Sequence, residues 1–168
     1  YFGKQIMSER YLKYSFTPVA GSGAVTLILG SIPGDRSILE CEYYAHPQNR
    51  FWRVIAFITD SNVPCNYEEK KRMLTDNGIA LWDIAGEAVR KGSMDNAIRD
   101  AVPNDILTFL HDNATIKKVL FNGKMAEKLY DKYFERLADI IYSSVPSTSP
   151  ANAAFSFDRL CREWKIVL

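Results

Sequence analysis

The chain has 168 residues, of which 47% are apolar and 24% charged, a composition that suits one packed domain and excludes a disordered tail. Its 21 Lys and Arg against 20 Asp and Glu leave a formal charge of +1, so nucleic-acid contact would need a local basic patch. Three cysteines without a CxxC pair argue against a disulfide framework and a zinc site. No apolar stretch approaches the ~20 residues that span a bilayer, and we expect a soluble, cytoplasmic domain.

The predicted elements alternate between strands and helices. Residues 1–25 are aromatic and irregular, and we expect the start of the chain to wrap around the core before a buried strand at Thr26–Gly30. The later elements are a helix from about Asn49, a helix over Tyr67–Asn77, a strand over Ile79–Ile84, a short helix ending near His111, a strand over Lys117–Phe121, a helix from Gly123 to about Leu137, a strand over Asp139–Val145 and a helix from Ser156.

This alternation predicts one α/β domain over residues 1–168, with a parallel sheet covered on both faces. In open parallel sheets the ligand crevice lies beyond the carboxyl ends of the strands. Three loops follow predicted strands at that edge, namely Gly30–Asn49, Asn122–Lys124 and Pro146–Asn152. We therefore expect the functional residues in these loops.

The first loop opens with Gly30-Ser31-Ile32-Pro33-Gly34. Such a turn can aim backbone N–H groups at an anion or a carbonyl, although a plain strand-to-helix turn fits the same string. It is not a nucleophile elbow, because Ser31 directly follows Gly30, and no dinucleotide fingerprint follows the strand. The turn is a candidate substrate-binding element.

Five strings occur in order between Leu27 and Asn152: Gly30–Gly34, Tyr43-Tyr44-Ala45-His46-Pro47-Gln48-Asn49-Arg50-Phe51-Trp52, Leu81-Trp82-Asp83, Phe121-Asn122-Gly123-Lys124 and Pro146-Ser147-Thr148-Ser149-Pro150-Ala151-Asn152. Together they resemble the uracil-DNA glycosylase superfamily, above all its deoxyinosine (hypoxanthine) DNA glycosylase branch. The string from Ala45 to Ile55 is also similar to the mismatch-specific uracil/thymine DNA glycosylases.

The resemblance implies a three-layer α/β/α sandwich with a central four-stranded parallel sheet. It implies an enzyme that flips a deaminated base out of DNA and hydrolyses its N-glycosidic bond, with no cofactor and no metal. The expected partner is DNA, double- or single-stranded, bound by a monomer that is nucleoid-associated in a prokaryote. Uracil opposite guanine is the alternative substrate. A second alternative is a lesion-binding module without catalysis.

The resemblance assigns Tyr44 to stacking on the flipped base and places Phe51 among the substrate-binding residues. Most of the superfamily carries Asp or Asn where this chain has Ile32, and an aliphatic side chain cannot position water. The deoxyinosine branch shares that departure, which points to Asn49 as the catalytic side chain. Asn49 also suits the cap of the following helix, and both roles can coexist.

The remaining candidates lie in the same loops. The amide of Asn122 can present a donor and an acceptor to a base edge, although a turn residue before glycine is the simpler interpretation. His46 is a candidate for charge stabilisation, with a buried structural histidine as the alternative. The expected DNA contacts are Lys124 and the loop residues Ser147, Thr148, Ser149, Pro150, Ala151 and Asn152.

Overall fold

The structure is a computed structural model that describes residues 11–168. Its strands and helices, in chain order, are β1 (Leu12–Tyr14), β2 (Thr26–Gly30), α1 (Asp35–Glu40), α2 (Phe51–Ile58), α3 (Tyr67–Asp76), β3 (Ile79–Asp83), β4 (Ala85–Val89), β5 (Arg99–Pro103), α4 (Ile106–Asp112), β6 (Lys118–Asn122), α5 (Lys124–Tyr133), β7 (Ile141–Val145) and α6 (Phe157–Trp164). Short 3-10 helices span Asp95–Ala97 and Lys165–Val167.

The main sheet has four parallel strands in the order β3-β2-β6-β7. Strand β2 is buried at every position because helices cover both faces of the sheet. Ile28 packs into the cluster formed with α2, α3 and α6, whereas Leu27 and Leu29 pack against α4 and α5. The predicted three-layer α/β/α sandwich with a four-stranded parallel sheet is confirmed.

An aromatic cluster joins α2 to α6 on one face of the sheet. The rings of Phe51 and Trp164 meet edge to face at 5.8 Å, and both side chains are fully buried. The indole nitrogen of Trp164 donates a hydrogen bond of 2.9 Å to the carbonyl of Pro146. The core thereby holds the start of the loop that follows β7.

A second sheet, of antiparallel strands in the order β1-β4-β5, was not predicted. The sequence of β4, Ala85-Gly86-Glu87-Ala88-Val89, lacks both a continuous apolar run and a strict alternation, so no strand signal stands out. Residues 1–10 of the segment predicted to wrap the core lie outside the described residues. In the rest of that segment Leu12–Tyr14 forms β1, and Val19 bridges to Leu81.

Two other expectations need correction. The loop from Gly30 to Asn49 contains the helix α1. Helix α5 ends at Tyr133, short of the predicted Leu137, because Phe134 adopts an extended conformation. Phe134 still packs against Tyr130, with ring centroids 5.2 Å apart, so the helical spacing of apolar residues continued into a segment that is not helical.

The other predicted elements differ from the structure only at their ends. The side chain of Asn66 caps α3 by accepting a hydrogen bond of 2.9 Å from the backbone N–H of Glu69, as its position predicted. Among residues 11–168, no helix has the length and apolar character that crossing a membrane requires.

Candidate active site

A cavity of about 830 Å³ opens at the carboxyl ends of the parallel strands. All three predicted loops contribute to its wall, because parallel strands in register end at the same edge of the sheet. The cavity is also lined by residues from the segment between β4 and β5, which the sequence did not indicate: Arg90, Ser93, Met94, Asp95 and Asn96.

Tyr44 forms an aromatic wall of this cavity. Its ring stacks on Phe51 with centroids 4.1 Å apart and planes 23° from parallel. The backbone of Tyr44 has a φ of 53°, a left-handed conformation that is rare outside glycine. Phe51 itself is fully buried and does not line the cavity, so its predicted contact with substrate is wrong. Phe51 instead supports the ring that does.

Arg90 stabilises the conformation of the Gly30–Gly34 turn. Its buried guanidinium donates hydrogen bonds to the carbonyls of Ile32 and Pro33, while the hydroxyl of Ser31 donates to Asp95 at 2.7 Å. Burial lowers the pKa of Arg90, and the nearby Asp95 partly offsets that effect. The turn is thus fixed through its carbonyls and Ser31.

Ile32 lies where the resemblance expects a water-positioning residue. Its side chain is buried and packs with Ala85 and Ala88. It lines the cavity but offers no hydrogen-bonding atom there.

The side-chain amide of Asn49 has its oxygen in a hydrogen bond and its nitrogen in none to a described residue. Its Oδ1 accepts a hydrogen bond of 3.0 Å from the backbone N–H of Phe51, the first residue of α2, although Arg50 rather than Asn49 occupies the N-cap position. Its Nδ2 donates to no described residue, and the side chain lines the cavity. Asn49 therefore offers an amide donor to the cavity while its oxygen holds the helix.

His46 is exposed at the rim of the cavity, so the alternative of a buried structural histidine is wrong. Its Nδ1 accepts a hydrogen bond of 3.1 Å from the backbone N–H of Gln48. With Nδ1 as acceptor, Nε2 is the ring nitrogen left to donate. The other histidine, His111, is exposed beside Asp112 and does not line the cavity.

Asn122 and Thr148 hold two of the loops together. The Nδ2 of Asn122 donates to the hydroxyl of Thr148 at 3.1 Å, and its Oδ1 accepts from the backbone N–H of Thr148 at 3.0 Å. Gly123 permits this approach, because a methyl group there would lie 3.1 Å from Cβ of Ser147. Thr148 is fully buried, so its predicted contact with DNA is wrong. Beyond these two bonds Asn122 has one more N–H and one more lone pair, and its side chain also lies within hydrogen-bonding reach of the hydroxyl of Tyr44.

Arg50 fixes the rest of the Pro146–Asn152 loop. Its guanidinium donates to the carbonyls of Ser149 at 3.1 Å and Asn152 at 2.9 Å, and also to that of Phe155. Its backbone N–H donates to the carbonyl of Thr148 at 3.1 Å. The side chains of the two predicted DNA contacts Ser149 and Asn152 border the cavity.

The other predicted DNA contacts also line the cavity. Pro150 and Ala151 are exposed at the loop tip, and Ser147 is half-buried beside them. Lys124 is exposed at the start of α5, with its ammonium 3.4 Å from the carboxylate of Glu127. The cavity thus brings together every predicted site residue except Phe51.

Asp83 also lines the cavity, although no role was predicted for it; it lies at the end of a predicted strand, within the Leu81-Trp82-Asp83 string. Its carboxylate is buried, and one oxygen accepts a hydrogen bond of 2.8 Å from Ser15. Burial raises the pKa of Asp83 to about 7, an effect that the Ser15 hydrogen bond and Arg90 oppose and Asp95 reinforces. The strand-end rule could have selected this residue.

The fold is an α/β/α sandwich whose strand-end cavity is lined by aromatic, amide and hydroxyl groups, the kinds of group that hold a base flipped out of DNA. A family model for the uracil DNA glycosylase superfamily matches residues 19–166. The chain belongs to the uracil DNA glycosylase superfamily.

Similar proteins are named as DNA glycosylases of this superfamily's kind. A hypoxanthine DNA glycosylase from Methanosarcina acetivorans is 35% identical over 159 residues, which cover 93% of this chain and 98% of the relative. A hypoxanthine DNA glycosylase from Methanosarcina barkeri is 41% identical over 114 residues, covering 67% and 72%. A solution NMR structure from Methanosarcina acetivorans, described as a candidate uracil DNA glycosylase, superposes with a TM-score of 0.79 at 34% identity and covers 93% of this chain and 96% of that chain.

The raised pKa of Asp83 predicts that folding becomes less favourable as pH rises. Between the unfolded pKa of 3.8 and the folded pKa of about 7, the folded state keeps a proton that the unfolded state has lost, so stability falls across that range. From about pH 5 to about pH 8, wild type should lose on the order of 2 kcal/mol relative to Asp83→Asn. Urea unfolding at both pH values measures the difference, with Asp76→Asn, which removes an exposed carboxylate outside the cavity, as control. Equal pH dependence in wild type and Asp83→Asn would contradict this prediction.

Arg50 should control the order of the loop that follows β7. Arg50→Met removes three carbonyl contacts, and Arg50→Lys restores only part of them because an ammonium lacks the planar fork. We expect amide hydrogen exchange within residues 149–155 to accelerate about 10-fold or more in Arg50→Met, and less in Arg50→Lys. The control is Arg53→Met in α2, the helix that follows Arg50; the Arg53 guanidinium lies over the ring of Phe157 at 4.6 Å. Unchanged amide hydrogen exchange in Arg50→Met would show that the loop is ordered without the Arg50 hydrogen bonds.

Proposed function

We propose that this protein is a monofunctional DNA glycosylase that removes hypoxanthine from deoxyinosine in DNA and leaves an abasic site. The observation that carries the proposal is the cavity itself, in which Tyr44 provides a stacking surface beside the amides of Asn49 and Asn122. The relatives named hypoxanthine DNA glycosylase, at 35% and 41% identity, support the same activity.

The flipped base would stack on the ring of Tyr44, since Phe51 covers the opposite face of that ring. Asn122 would contribute its remaining N–H and lone pair to the base. The proposed role of Asn122 is therefore double, because the same amide ties the loop at Thr148.

Bond cleavage would follow a dissociative path. No carboxylate stands at Ile32 to activate water, and an amide cannot take a proton, so Asn49 is no general base. The electron pair of the glycosidic bond leaves with the base, C1′ gains oxocarbenium character, and a water molecule then adds to C1′ and releases its proton to the departed base or to solvent. The Nδ2 of Asn49 and the Nε2 of His46 would donate to the negative charge that develops on the base.

The DNA strand would run along the loop that Arg50 fixes. The hydroxyls of Ser147 and Ser149, the amide of Asn152 and the ammonium of Lys124 provide uncharged and charged donors for phosphate oxygens at the edge of the cavity. We propose that the chain binds as a monomer and acts in the cytoplasm, at the nucleoid in a prokaryote.

Excision assays on oligonucleotides with a single deoxyinosine test this function. We expect abasic sites that break only after alkali treatment, because Lys124, the lysine that borders the cavity in the described part of the chain, is exposed at its edge and paired with Glu127 rather than set in the base pocket as a Schiff base would require. The assay contains EDTA, and full activity is expected there. Intact oligonucleotide after prolonged incubation, or activity that depends on added zinc or magnesium, would contradict the proposal.

Uracil is the second candidate substrate. The neighbouring structure described as a candidate uracil DNA glycosylase, together with the Ala45–Ile55 string, favours it. The same assay with uracil opposite guanine decides between the two bases, and binding of either lesion without excision would favour an inactive lesion-binding module.

Asn49 should matter for the reaction beyond its cap. Asn49→Ala should lower the single-turnover rate of excision at least ~100-fold, the scale of losing a well-placed donor in an active site. Asn49→Asp is the matched variant, because it keeps an oxygen for the N–H of Phe51 and removes the amide donor. A cap role alone predicts near-normal excision by Asn49→Asp, whereas the proposed role predicts that both variants lose activity.

Single-stranded or mismatched DNA should be the better substrate. The exposed tip of the loop, Pro150-Ala151, is too small to replace a base in the duplex, so the enzyme has little bulk to compensate the cost of unstacking. We expect single-turnover rates on a single strand to exceed those on a fully paired duplex by about 10-fold, equivalent to a little over 1 kcal/mol. Equal or faster excision from the stable duplex would contradict this expectation.

A further inference from the structure

Arg159 is an exposed cation at the mouth of the cavity to which neither the sequence nor the proposed reaction gives a role. It lies in the first turn of α6 and contributes to the cavity lining. The other arginines and lysines that line the cavity in residues 11–168 each have a carboxylate partner, namely Arg36, Arg90 and Lys124. Arg159 has none among those residues, although Glu163 follows it by one helical turn and also lines the cavity. Its charge is therefore available to a ligand.

The ring of Phe155 orients this guanidinium. The central carbon of the Arg159 guanidinium lies over that ring, 4.1 Å from its centroid, which is the geometry of a cation–π contact. Such a contact uses none of the N–H donors of the side chain, and these donors make no hydrogen bond to any residue in the described part of the chain. The guanidinium is thus held in position while its donors stay free.

The backbone beneath the cation–π pair is also ordered. The carbonyl of Phe155 accepts a hydrogen bond from Arg50, and the backbone N–H of Phe155 donates to the carbonyl of Asn152 at 3.3 Å. The backbone N–H of Arg159 donates to the hydroxyl of Ser156 at 3.3 Å, at the cap of α6. Arg159 is therefore tied to the same loop that borders the cavity after β7.

The surroundings of Arg159 identify phosphate as the anion that it would take. A chain with a formal charge of +1 has no overall field to attract DNA, so it must contact the DNA backbone through cations placed at the site. A nucleotide whose base enters the cavity leaves its phosphates at the mouth, beside the loop after β7. That loop offers hydroxyl and amide donors without charge at Ser147, Ser149 and Asn152. A planar guanidinium beside them suits a phosphate in both charge and geometry.

We propose that Arg159 binds a backbone phosphate next to the flipped nucleotide and that Phe155 orients it for this contact. This inference rests on the function proposed above, and it adds a charged DNA contact from outside the Pro146–Asn152 loop. Because the ring already restricts the side chain, less conformational freedom is lost when the phosphate binds. Charge and orientation should therefore contribute separately to the affinity for DNA.

The other cations of the cavity are less suited to this contact. Arg36 pairs with Glu40 one turn further along α1, and Arg90 is buried with its N–H groups directed at carbonyls of the Gly30–Gly34 turn. The ammonium of Lys124 lies 3.4 Å from the carboxylate of Glu127, which lowers its net attraction for a second anion.

Equilibrium binding of a single-stranded oligonucleotide tests the proposal in wild type, Arg159→Met, Arg159→Lys and Arg162→Met. The oligonucleotide carries one 2′-fluoro-deoxyinosine, whose glycosidic bond resists cleavage. Arg159→Met should weaken binding about 10-fold at low salt. It should also reduce the slope of log K against log salt concentration by about 0.7, the value of one phosphate contact on a single strand. Arg159→Lys should keep the slope and lose part of the affinity, because an ammonium keeps the charge without the planar fork.

Arg162→Met is the matched control, because it removes the same charge from an exposed position of α6 outside the cavity. It should change neither the affinity nor the slope. Phe155→Leu separates orientation from charge: binding should weaken about 2- to 5-fold, the scale of a cation–π contact, with the slope unchanged.

A scan with methylphosphonates, each replacing one phosphate near the modified nucleotide by an uncharged group, locates the contact. One replacement should weaken binding by wild type about 10-fold and leave binding by Arg159→Met almost unaffected, because the partner of that phosphate is already missing. Losses that add at every position would overturn the proposal, as would an Arg159→Met variant with the affinity and salt slope of wild type.

These measurements do not use excision, so they fail independently of the proposed function. If wild type excises hypoxanthine but Arg159→Met binds as tightly as wild type, only the phosphate contact is wrong. If wild type leaves deoxyinosine intact but shows the expected coupling between Arg159 and one phosphate, the proposed function is wrong and the contact stands. Wild type that binds no DNA would overturn both.

Discussion

The burial of Phe51 determines where the parts of the cavity lie. The ring of Phe51 stacks on that of Tyr44, with centroids 4.1 Å apart, and contacts the ring of Trp164 edge to face, with centroids 5.8 Å apart. Trp164 in turn holds the carbonyl of Pro146, so the stacking wall and the loop after β7 depend on the same buried aromatic cluster. Because a close-packed core deforms little, the distance between Tyr44 and the loop after β7 is fixed before any ligand binds.

The chain just before Phe51 serves the core and the cavity together. Asn49 accepts the first N–H of α2 with its side-chain oxygen and lines the cavity, and Arg50 donates to carbonyls of the facing loop. Adjacent residues at the start of one helix thus orient a donor and anchor the opposite wall. Such an arrangement positions the proposed donor without extra elements, and donors that are already in position are the ones that stabilise charge developing in a transition state.

Burial raises the pKa of two acidic groups that line the cavity, Tyr44 and Asp83. Burial, reinforced by Asp83, raises the pKa of Tyr44, so its hydroxyl stays protonated. Asp83 titrates near neutrality because burial opposes its charge, while Arg90 and Ser15 favour it. The network around Arg90 also shapes the Gly30–Gly34 turn, which explains why a chain segment between two strands of the second sheet belongs to the site.

Local sequence determined the main sheet, most helices and the three loops at its edge. Continuous apolar runs such as Thr26–Gly30 can be satisfied only between two layers, and ordered strings such as Tyr43–Trp52 carry the family resemblance. Strand β4 has only a weak sequence pattern. It is a strand because it pairs with β1 and β5, and that pairing exists only in the folded chain. The burial of Phe51 and Thr148 and the half-paired carboxylate of Asp83 were likewise decided by tertiary packing. A sequence shows which groups are near a strand end, but burial and pairing depend on neighbours that are distant along the chain.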